Sequence, residues 1–161
     1  RCRLVGSEMC IRDRCKCCTE KHQQFGFWEG DWNTFTPDGK LAGTNLIVWQ
    51  QDSCVLIENW VSAGGIYTGT SYNFYDVTTG FWHQTWVDNQ GGNLLLKGIW
   101  NGEAMVLKSE ILKNQKGEEY KNRVTWIPND DGSVRQLWEI SNDNESTWTA
   151  VFDGLYQPKT K

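Results

Sequence analysis

The stretch Leu94-Leu-Leu-Lys-Gly-Ile-Trp-Asn-Gly-Glu-Ala-Met-Val-Leu-Lys-Ser-Glu-Ile-Leu112 holds two apolar runs separated by Asn101-Gly102. Asn-Gly is a strong signal for a two-residue hairpin turn, because both central positions require a positive φ. Charged residues alternate with apolar ones on either side of the turn, which is the period of a half-buried strand. This stretch therefore predicts two antiparallel strands.

The rest of the chain repeats this pattern in both directions. Ten strand-like runs are separated by short polar turns, and helical spacing never persists for ten residues. The runs span residues 25–36, 41–50, 53–63, 67–77, 81–88, 94–100, 104–113, 120–127, 134–141 and 147–157. We predict an all-β fold, an antiparallel up-and-down meander of about ten strands that closes into a calycin-like barrel, since closure removes exposed edges. A two-sheet sandwich is the alternative.

The first 21 residues differ sharply in composition from the remainder of the chain. They hold five of the six cysteines, and the string Val5-Gly-Ser-Glu-Met-Cys-Ile-Arg-Asp-Arg14 resembles a translated sequencing adapter. We therefore expect residues 1–21 to be a disordered or artefactual tail and residues 22–161 to form the barrel domain. Cys15 and Cys18 form a C-x-x-C pair that only Cys10 and His22 could complete, so we do not expect zinc. Cys54 is expected to be a small buried hydrophobic residue.

Composition narrows the classes of partner. The formal net charge of −4 offers no basic surface for a phosphate backbone, so we expect no nucleic-acid binding. No apolar run is long enough to span a bilayer, so we expect no membrane insertion. Ten Trp, six Phe and five Tyr indicate an aromatic interior or a surface that stacks flat ligands.

On several strands charged residues mark the solvent-facing side, and alternation then assigns the inner face. On residues 134–141 this places Trp138 on the inner face, because Arg135 and Glu139 mark the outer one. On the last strand it places Trp148, Ala150 and Phe152 inward.

In residues 81–88 both faces carry bulky side chains, and we favour the face of Trp82, Gln84 and Trp86 as the inner one over that of Phe81, His83, Thr85 and Val87. The predicted interior combines tryptophans with amides, namely Trp86, Trp126, Trp138 and Trp148 with Gln84, Asn122 and Gln136. Convergent polar groups in an apolar cavity are typical of a ligand site. A filled core is the alternative.

Several strings resemble a bacterial, lipocalin-like (calycin) family of unknown function. They are Phe27-Trp-Glu-Gly-Asp-Trp32, Glu58-Asn59-Trp60, Gly69-Thr-Ser-Tyr-Asn-Phe-Tyr-Asp76, Trp82-His-Gln-Thr-Trp-Val-Asp88, Arg135-Gln-Leu-Trp-Glu139 and Phe152-Asp-Gly-Leu-Tyr156. The resemblance covers about residues 25–156. It implies a calycin-type barrel whose opening tryptophan plugs the closed end. Asn59 is a further candidate ligand-binding residue.

These observations favour a binding or carrier protein for a small apolar or aromatic ligand, with no cofactor. The alternative is an enzyme in the same cavity, for which His83, Glu58 and Asp88 are the candidate acid–base groups. Related nitrobindin-like barrels hold haem through a histidine in a late strand. Residues 120–156 contain no histidine, so we do not expect haem here.

Overall fold

A computed structural model describes residues 15–159 of this chain. A short helix α1 (Glu20–Gln23) and a 3₁₀ turn (Gly26–Trp28) precede eleven strands. The strands are β1 (Gly30–Phe35), β2 (Leu41–Gln50), β3 (Val55–Ser62), β4 (Thr68–Asp76), β5 (Phe81–Asp88), β6 (Asn93–Trp100), β7 (Met105–Lys108), β8 (Leu112–Lys113), β9 (Glu119–Pro128), β10 (Val134–Ser141) and β11 (Thr149–Pro158).

Ten of these strands form a closed antiparallel barrel. Each of β1 to β6 pairs with the next strand in sequence, β7 pairs with β9, and the order continues through β10 and β11. The barrel closes where β11 pairs with β1, with Thr34 opposite Tyr156. The two-residue strand β8 pairs only with β9, at Leu112 and Tyr120. The predicted all-β barrel is confirmed, and the two-sheet sandwich is not observed.

A tight turn joins β6 and β7 as predicted, but its two central residues are Gly102 and Glu103 rather than Asn101 and Gly102, because the Asn101 N–H donates to the Ala104 carbonyl at 3.0 Å. Gly102 has a φ of 102°, which glycine adopts without steric penalty. The side-chain oxygen of Asn101 accepts hydrogen bonds from the backbone N–H groups of Glu103 and Ala104 at 2.9 and 2.8 Å. Asparagine thus closes the turn with its own side chain, and Trp100 then pairs with Met105.

Aromatic side chains fill one end of the barrel. The segment from Phe25 to Trp28, predicted to begin the first strand, instead forms the 3₁₀ turn that covers this end. The centroids of the stacked Phe25 and Trp28 rings lie 5.0 Å apart, and Phe25 makes T-shaped contacts with Trp82 and Trp126 at centroid distances of 5.6 and 5.1 Å. All four side chains are buried. These four side chains form an aromatic plug that closes this end of the barrel.

The segment from Cys15 to Lys21 belongs to the fold, which corrects the predicted boundary at residue 21. Cys17 forms a disulfide with Cys54, and a second disulfide joins Cys15 to Cys18. The Thr19 hydroxyl accepts a hydrogen bond from the His22 backbone N–H at 3.3 Å and so caps α1. Cys54 is therefore a covalent anchor rather than a small apolar filler. The adapter-like string, residues 5–14, lies outside the described residues.

A β-bulge in β11 changes which side chains point inward. Trp138 pairs with Phe152, but the next pair is Glu139 with Ala150, so Val151 is an extra residue in β11. An extra residue on one strand reverses the alternation beyond it. Phe152 therefore points inward as predicted, whereas Ala150 shares the outer face with Glu139.

The bulge also places Trp148 on the outer face, contrary to the inward prediction. The guanidinium carbon of Arg123 lies 4.1 Å from the centroid of the Trp148 ring, and the Lys108 ammonium lies 5.7 Å from it. Lys108 also pairs with Glu145, in the turn before β11. These cation–π and ion-pair contacts hold the turn against the outside of the barrel.

Candidate functional site: a cavity at the open end of the barrel

The open end of the barrel contains a cavity of about 600 Å³. It lies between the strand ends farthest from the aromatic plug, where β3 and β5 end and β4, β6 and β9 begin. Its principal lining side chains are Glu58, Trp60, Tyr67, Gln84, Trp86, Asp88, Leu94, Tyr120, Asn122, Val124, Gln136, Trp138, Ile140, Val151, Phe152 and Tyr156. The lining is thus largely aromatic and aliphatic. A cluster of polar side chains, Glu58, Gln84, Gln136 and Tyr156, forms the cavity floor.

Glycines on the sheet make room for two of the aromatic walls. The Trp86 ring occupies the space where Gly69 would carry a side chain, so a Cβ at that position would overlap the indole. In the same way, a Cβ on Gly43 would come within 2.7 Å of the Trp60 ring. Because these rings pack directly on backbone, they line the cavity without filling it.

A chain of hydrogen bonds fixes the orientation of Gln84. The backbone carbonyl of Leu56 can only accept, so the group 3.0 Å from it must be the amide nitrogen of Asn73. Asn73 Oδ1 then accepts from Gln84 Nε2 at 2.8 Å. Within residues 15–159 nothing donates to Gln84 Oε1, and Gln84 is 95% buried and lines the cavity. Among these residues Gln84 Oε1 is therefore an acceptor without a partner on a residue that lines the cavity, whereas Asn45 Oδ1, which also lacks a partner, is fully buried.

Glu58 is the buried carboxyl of the cavity floor, with only 5% of its surface exposed. Its Oε1 accepts from Asn45 Nδ2 at 2.7 Å, and its Oε2 accepts from the Ser71 hydroxyl at 2.6 Å. Burial raises the pKa of Glu58 to about 7, and the bonds from Ser71 and Asn45 partly oppose that rise. In the described part of the chain no basic side chain forms an ion pair with Glu58, so its charge is unpaired when it ionises.

Tyr156 connects this carboxyl network to Gln136. Its hydroxyl accepts from Asn45 Nδ2 at 3.1 Å and donates to Gln136 Oε1 at 2.6 Å. Burial raises the pKa of Tyr156, so the phenol is neutral and can act as that donor. Gln136 Nε2 has no partner among residues 15–159, and Gln136 lines the cavity. The floor thus also presents an unpaired amide donor.

On another wall of the cavity, Trp138 is held by an amide on the neighbouring strand. Its indole N–H donates to Asn122 Oδ1 at 2.8 Å. The backbone N–H of Asn122 in turn donates to the Ser109 hydroxyl at 2.9 Å, at the break between β7 and β8. This arrangement satisfies the polar atom of Trp138 and leaves its ring to line the cavity.

A second carboxylate, Asp88, lies at the rim. Its oxygens accept from the backbone N–H groups of Gln90 and Gly92 at 2.9 and 2.8 Å and from the Tyr67 hydroxyl at 3.0 Å. The bond from Gly92 contributes most to holding the pKa of Asp88 below its ordinary value. Asp88 is therefore both the turn residue that the sequence indicated and an ionised group at the cavity entrance.

Five of the seven predicted ligand-binding residues are brought together in this cavity. They are Gln84, Trp86, Asn122, Gln136 and Trp138.

The two others lie elsewhere. Trp126, predicted to line the cavity, is fully buried in the aromatic plug, because its position near the end of β9 lies deeper in the barrel. Asn59 is exposed, and its side chain donates to the Leu46 carbonyl at 3.3 Å, because it alternates with the inward residues Glu58 and Trp60.

Of the three candidate acid–base residues, two line the cavity and one does not. Glu58 and Asp88 line the cavity. His83 does not line it, because it alternates along β5 with the inward residues Trp82 and Gln84. The imidazole ring of His83 instead stacks on Phe74, with their centroids 5.2 Å apart.

Sequence reasoning missed the polar residues of β2 and β4 that form the floor. Ser71 and Asn73 are buried, while Tyr72, between them, is 49% exposed. A hydrophobic pattern would instead place Tyr72 inside the barrel and Ser71 and Asn73 on its outer face. One feature of the sequence could have indicated their inward direction. The small polar residues Ser71 and Asn73 alternate along β4, and they pair with Trp86 and Gln84 on β5.

The described chain offers no cluster of side chains suited to a metal ion. Across residues 15–159, no group of three or more His, Cys, Asp or Glu side chains could hold one. The Cys15–Cys18 disulfide occupies the thiols that the zinc alternative would need. Within the same range, the helices are too short to cross a bilayer.

Comparison with known proteins returned no matching family model and no matching curated protein sequence.

Proposed function

We propose that this protein binds or carries a small, largely apolar or aromatic molecule in the cavity at the open end of the barrel. The observation that carries the proposal is the cavity itself, with a volume of about 600 Å³ and Trp60, Trp86 and Trp138 on its walls. Pockets for small ligands commonly measure about 300–1,000 Å³ and combine apolar walls with a few placed polar groups. The resemblance of the Phe27–Trp32 string to lipocalin-like barrels supports the same proposal.

The polar groups at the floor suit a ligand with one polar end. Among the described residues, Gln84 Oε1 is a hydrogen-bond acceptor without a donor, and Gln136 Nε2 is a donor without an acceptor. Neither atom is among the fully buried side-chain atoms of residues 15–159 that lack a partner, so both can be reached from the cavity and can hydrogen-bond the polar end of a ligand. The aromatic walls then enclose its apolar body.

A neutral fluorescent probe tests the proposal. N-phenyl-1-naphthylamine is expected to bind with a stoichiometry near one and to gain fluorescence inside the apolar cavity. Trp138→Leu, which removes a wall, should weaken probe binding about tenfold. Trp148→Leu is the matched control, because Trp148 lies on the outer face of the same barrel.

Two outcomes would overturn the proposal. One is the absence of saturable probe binding in the native protein. The other is an equal loss of probe affinity in Trp138→Leu and Trp148→Leu, since the probe would then not report the cavity.

An enzyme that transfers a proton in the same cavity is the second candidate. Glu58 favours it, because the pKa of this carboxyl is raised by burial to about 7, where it can act as acid or base. Activity on a bound substrate should then follow the ionisation of Glu58 and be lost in Glu58→Gln. A carrier would instead release its ligand chemically unchanged after prolonged incubation.

A further inference from the structure

We propose that the polar end of the ligand is a protonated amine, which enters past Asp88 and pairs with Glu58 at the cavity floor. This inference rests on the proposed function and names the ligand class for the same cavity.

The charges that line the cavity have one sign. Its ionisable side chains are the carboxyl groups of Glu58 and Asp88 and the phenols of Tyr67, Tyr120 and Tyr156. No Lys, Arg or His of residues 15–159 lines it. A cavity with low-dielectric walls concentrates the field of its carboxylates, so it attracts cations and repels anions.

Basic side chains near these strands are instead engaged on the outer face. Arg135 pairs with Asp153 at 2.7 Å, and Lys97 pairs with Glu110 at 2.6 Å. Their outward direction follows from alternation, since Gln136 and Leu96 occupy the inner positions next to them. The described part of the barrel therefore supplies no internal cation for Glu58.

The floor offers the hydrogen-bond acceptors that an ammonium group requires. Glu58 and Gln84 lie next to each other, since the Ser71 hydroxyl is 2.6 Å from Glu58 Oε2 and 3.5 Å from Gln84 Nε2. An ammonium group carries three donors and no acceptor. The Glu58 carboxylate would accept one of them, and Gln84 Oε1 is a further acceptor on the lining of the same cavity. The ammonium would also supply the charge that ionised Glu58 lacks.

The walls are suited to the rest of such a ligand. Trp60 and Trp86 border the cavity, and indole rings attract cations as well as flat apolar groups. An arylalkylamine would thus place its ammonium at the floor and its ring between the walls.

Ionisation of Glu58 couples this binding to pH. Burial raises the pKa of Glu58 to about 7, so the carboxylate that pairs with an amine is present mainly above that pH. The groups that face Glu58 from β2, β4 and β11 are Asn45, Ser71 and Tyr156. Of these only Tyr156 titrates, and burial raises the pKa of its phenol further. The carboxyl of Asp88, at the rim, stays ionised.

Calorimetric titration with three matched compounds tests the inference. At pH 8, 3-phenyl-1-propylamine is expected to bind at least tenfold more tightly than 3-phenyl-1-propanol, and 3-phenylpropanoate is expected to bind least. Glu58→Gln should abolish the preference of amine over alcohol. Glu103→Gln, which removes the same charge from an exposed turn, should preserve it.

The native protein provides a test that does not depend on a variant that folds. Its preference for the amine over the alcohol should shrink severalfold between pH 8 and pH 5.5. Equal binding of amine and alcohol at pH 8, tighter binding of the propanoate, or a preference that survives in Glu58→Gln would overturn the inference. Binding of N-phenyl-1-naphthylamine in the same samples would show that the proposed carrier function stands even then.

Discussion

The indole of Trp86 packs on the backbone of Gly69, diagonally across the β4–β5 pairing, in the space that any larger residue would fill with its side chain. The wall of the cavity is thus one ring thick at this point, and its position depends on a missing Cβ.

This relationship predicts the effect of Gly69→Ala. The added methyl group should push Trp86 into the cavity and lower the affinity for N-phenyl-1-naphthylamine about tenfold, with a stability loss of roughly 1–3 kcal/mol from overpacking. Gly64→Ala is the control, since a Cβ there meets nothing within 4 Å. Probe titration and urea unfolding measure both effects, and unchanged probe affinity in Gly69→Ala would contradict the assigned wall.

A second prediction separates the two inward tryptophans by depth. Trp126→Ala should cost roughly 3–5 kcal/mol of unfolding free energy, because a fully buried indole leaves a void in the plug. Trp138→Ala should cost clearly less, because its ring already borders open cavity. Urea unfolding measures the free energy of unfolding of both variants. Equal losses of unfolding free energy in the two variants would mean that the cavity is filled in solution.

Glu58 makes stability depend on pH in an unusual direction. Its carboxyl has a folded pKa of about 7 against an ordinary value of 4.5, so between these values the folded state binds more protons than the unfolded state. Stability should therefore fall as pH rises from about 4.5 to 7, by on the order of 3 kcal/mol at about 1.4 kcal/mol per pKa unit. Below 4.5 both states are protonated and the contribution is constant.

The measurement is the unfolding free energy of the native protein and of Glu58→Gln across this range. The variant should lack this fall, so the difference between the two curves isolates Glu58 from the surface carboxylates. Of those, Asp143 and Glu145 have pKa values held at about 2 and lose their contribution only at lower pH. Parallel curves for the two proteins would contradict a buried, uncompensated carboxyl.

The disulfide between Cys17 and Cys54 predicts that the segment before α1 stabilises the barrel. Cys54→Ser should lower the free energy of unfolding by about 2–4 kcal/mol, since the bridge joins residues 37 positions apart. Cys17→Ser should cause the same loss, and the double variant should lose no more than either single variant. Thermal unfolding under non-reducing conditions measures this, and a free thiol at Cys54 by mass spectrometry would refute the bridge.

The sequence alone determined the barrel and much of its inner face. Asn101-Gly102 and the other turns are too short for anything but antiparallel neighbours, and the side-chain period of a strand is two. A charge such as Lys108 or Arg135 therefore predicts the direction of every nearby residue until the register changes. That is why Asn122, Gln136 and Trp138 were placed toward the interior from sequence, whereas Gln84 was placed there with the tryptophan-bearing face of residues 81–88.

Only the tertiary structure decided where that alternation changes and how deep each residue lies. The bulge at Val151 reverses the phase of β11 and turns Trp148 outward, and no residue type marks it in the sequence. Depth along the barrel axis separates Trp126 in the plug from Trp138 in the cavity, although both point inward. The acidity of Glu58 is likewise tertiary, because burial by residues distant in sequence sets it. Such properties depend on three-dimensional neighbours, which a pattern of period two does not contain.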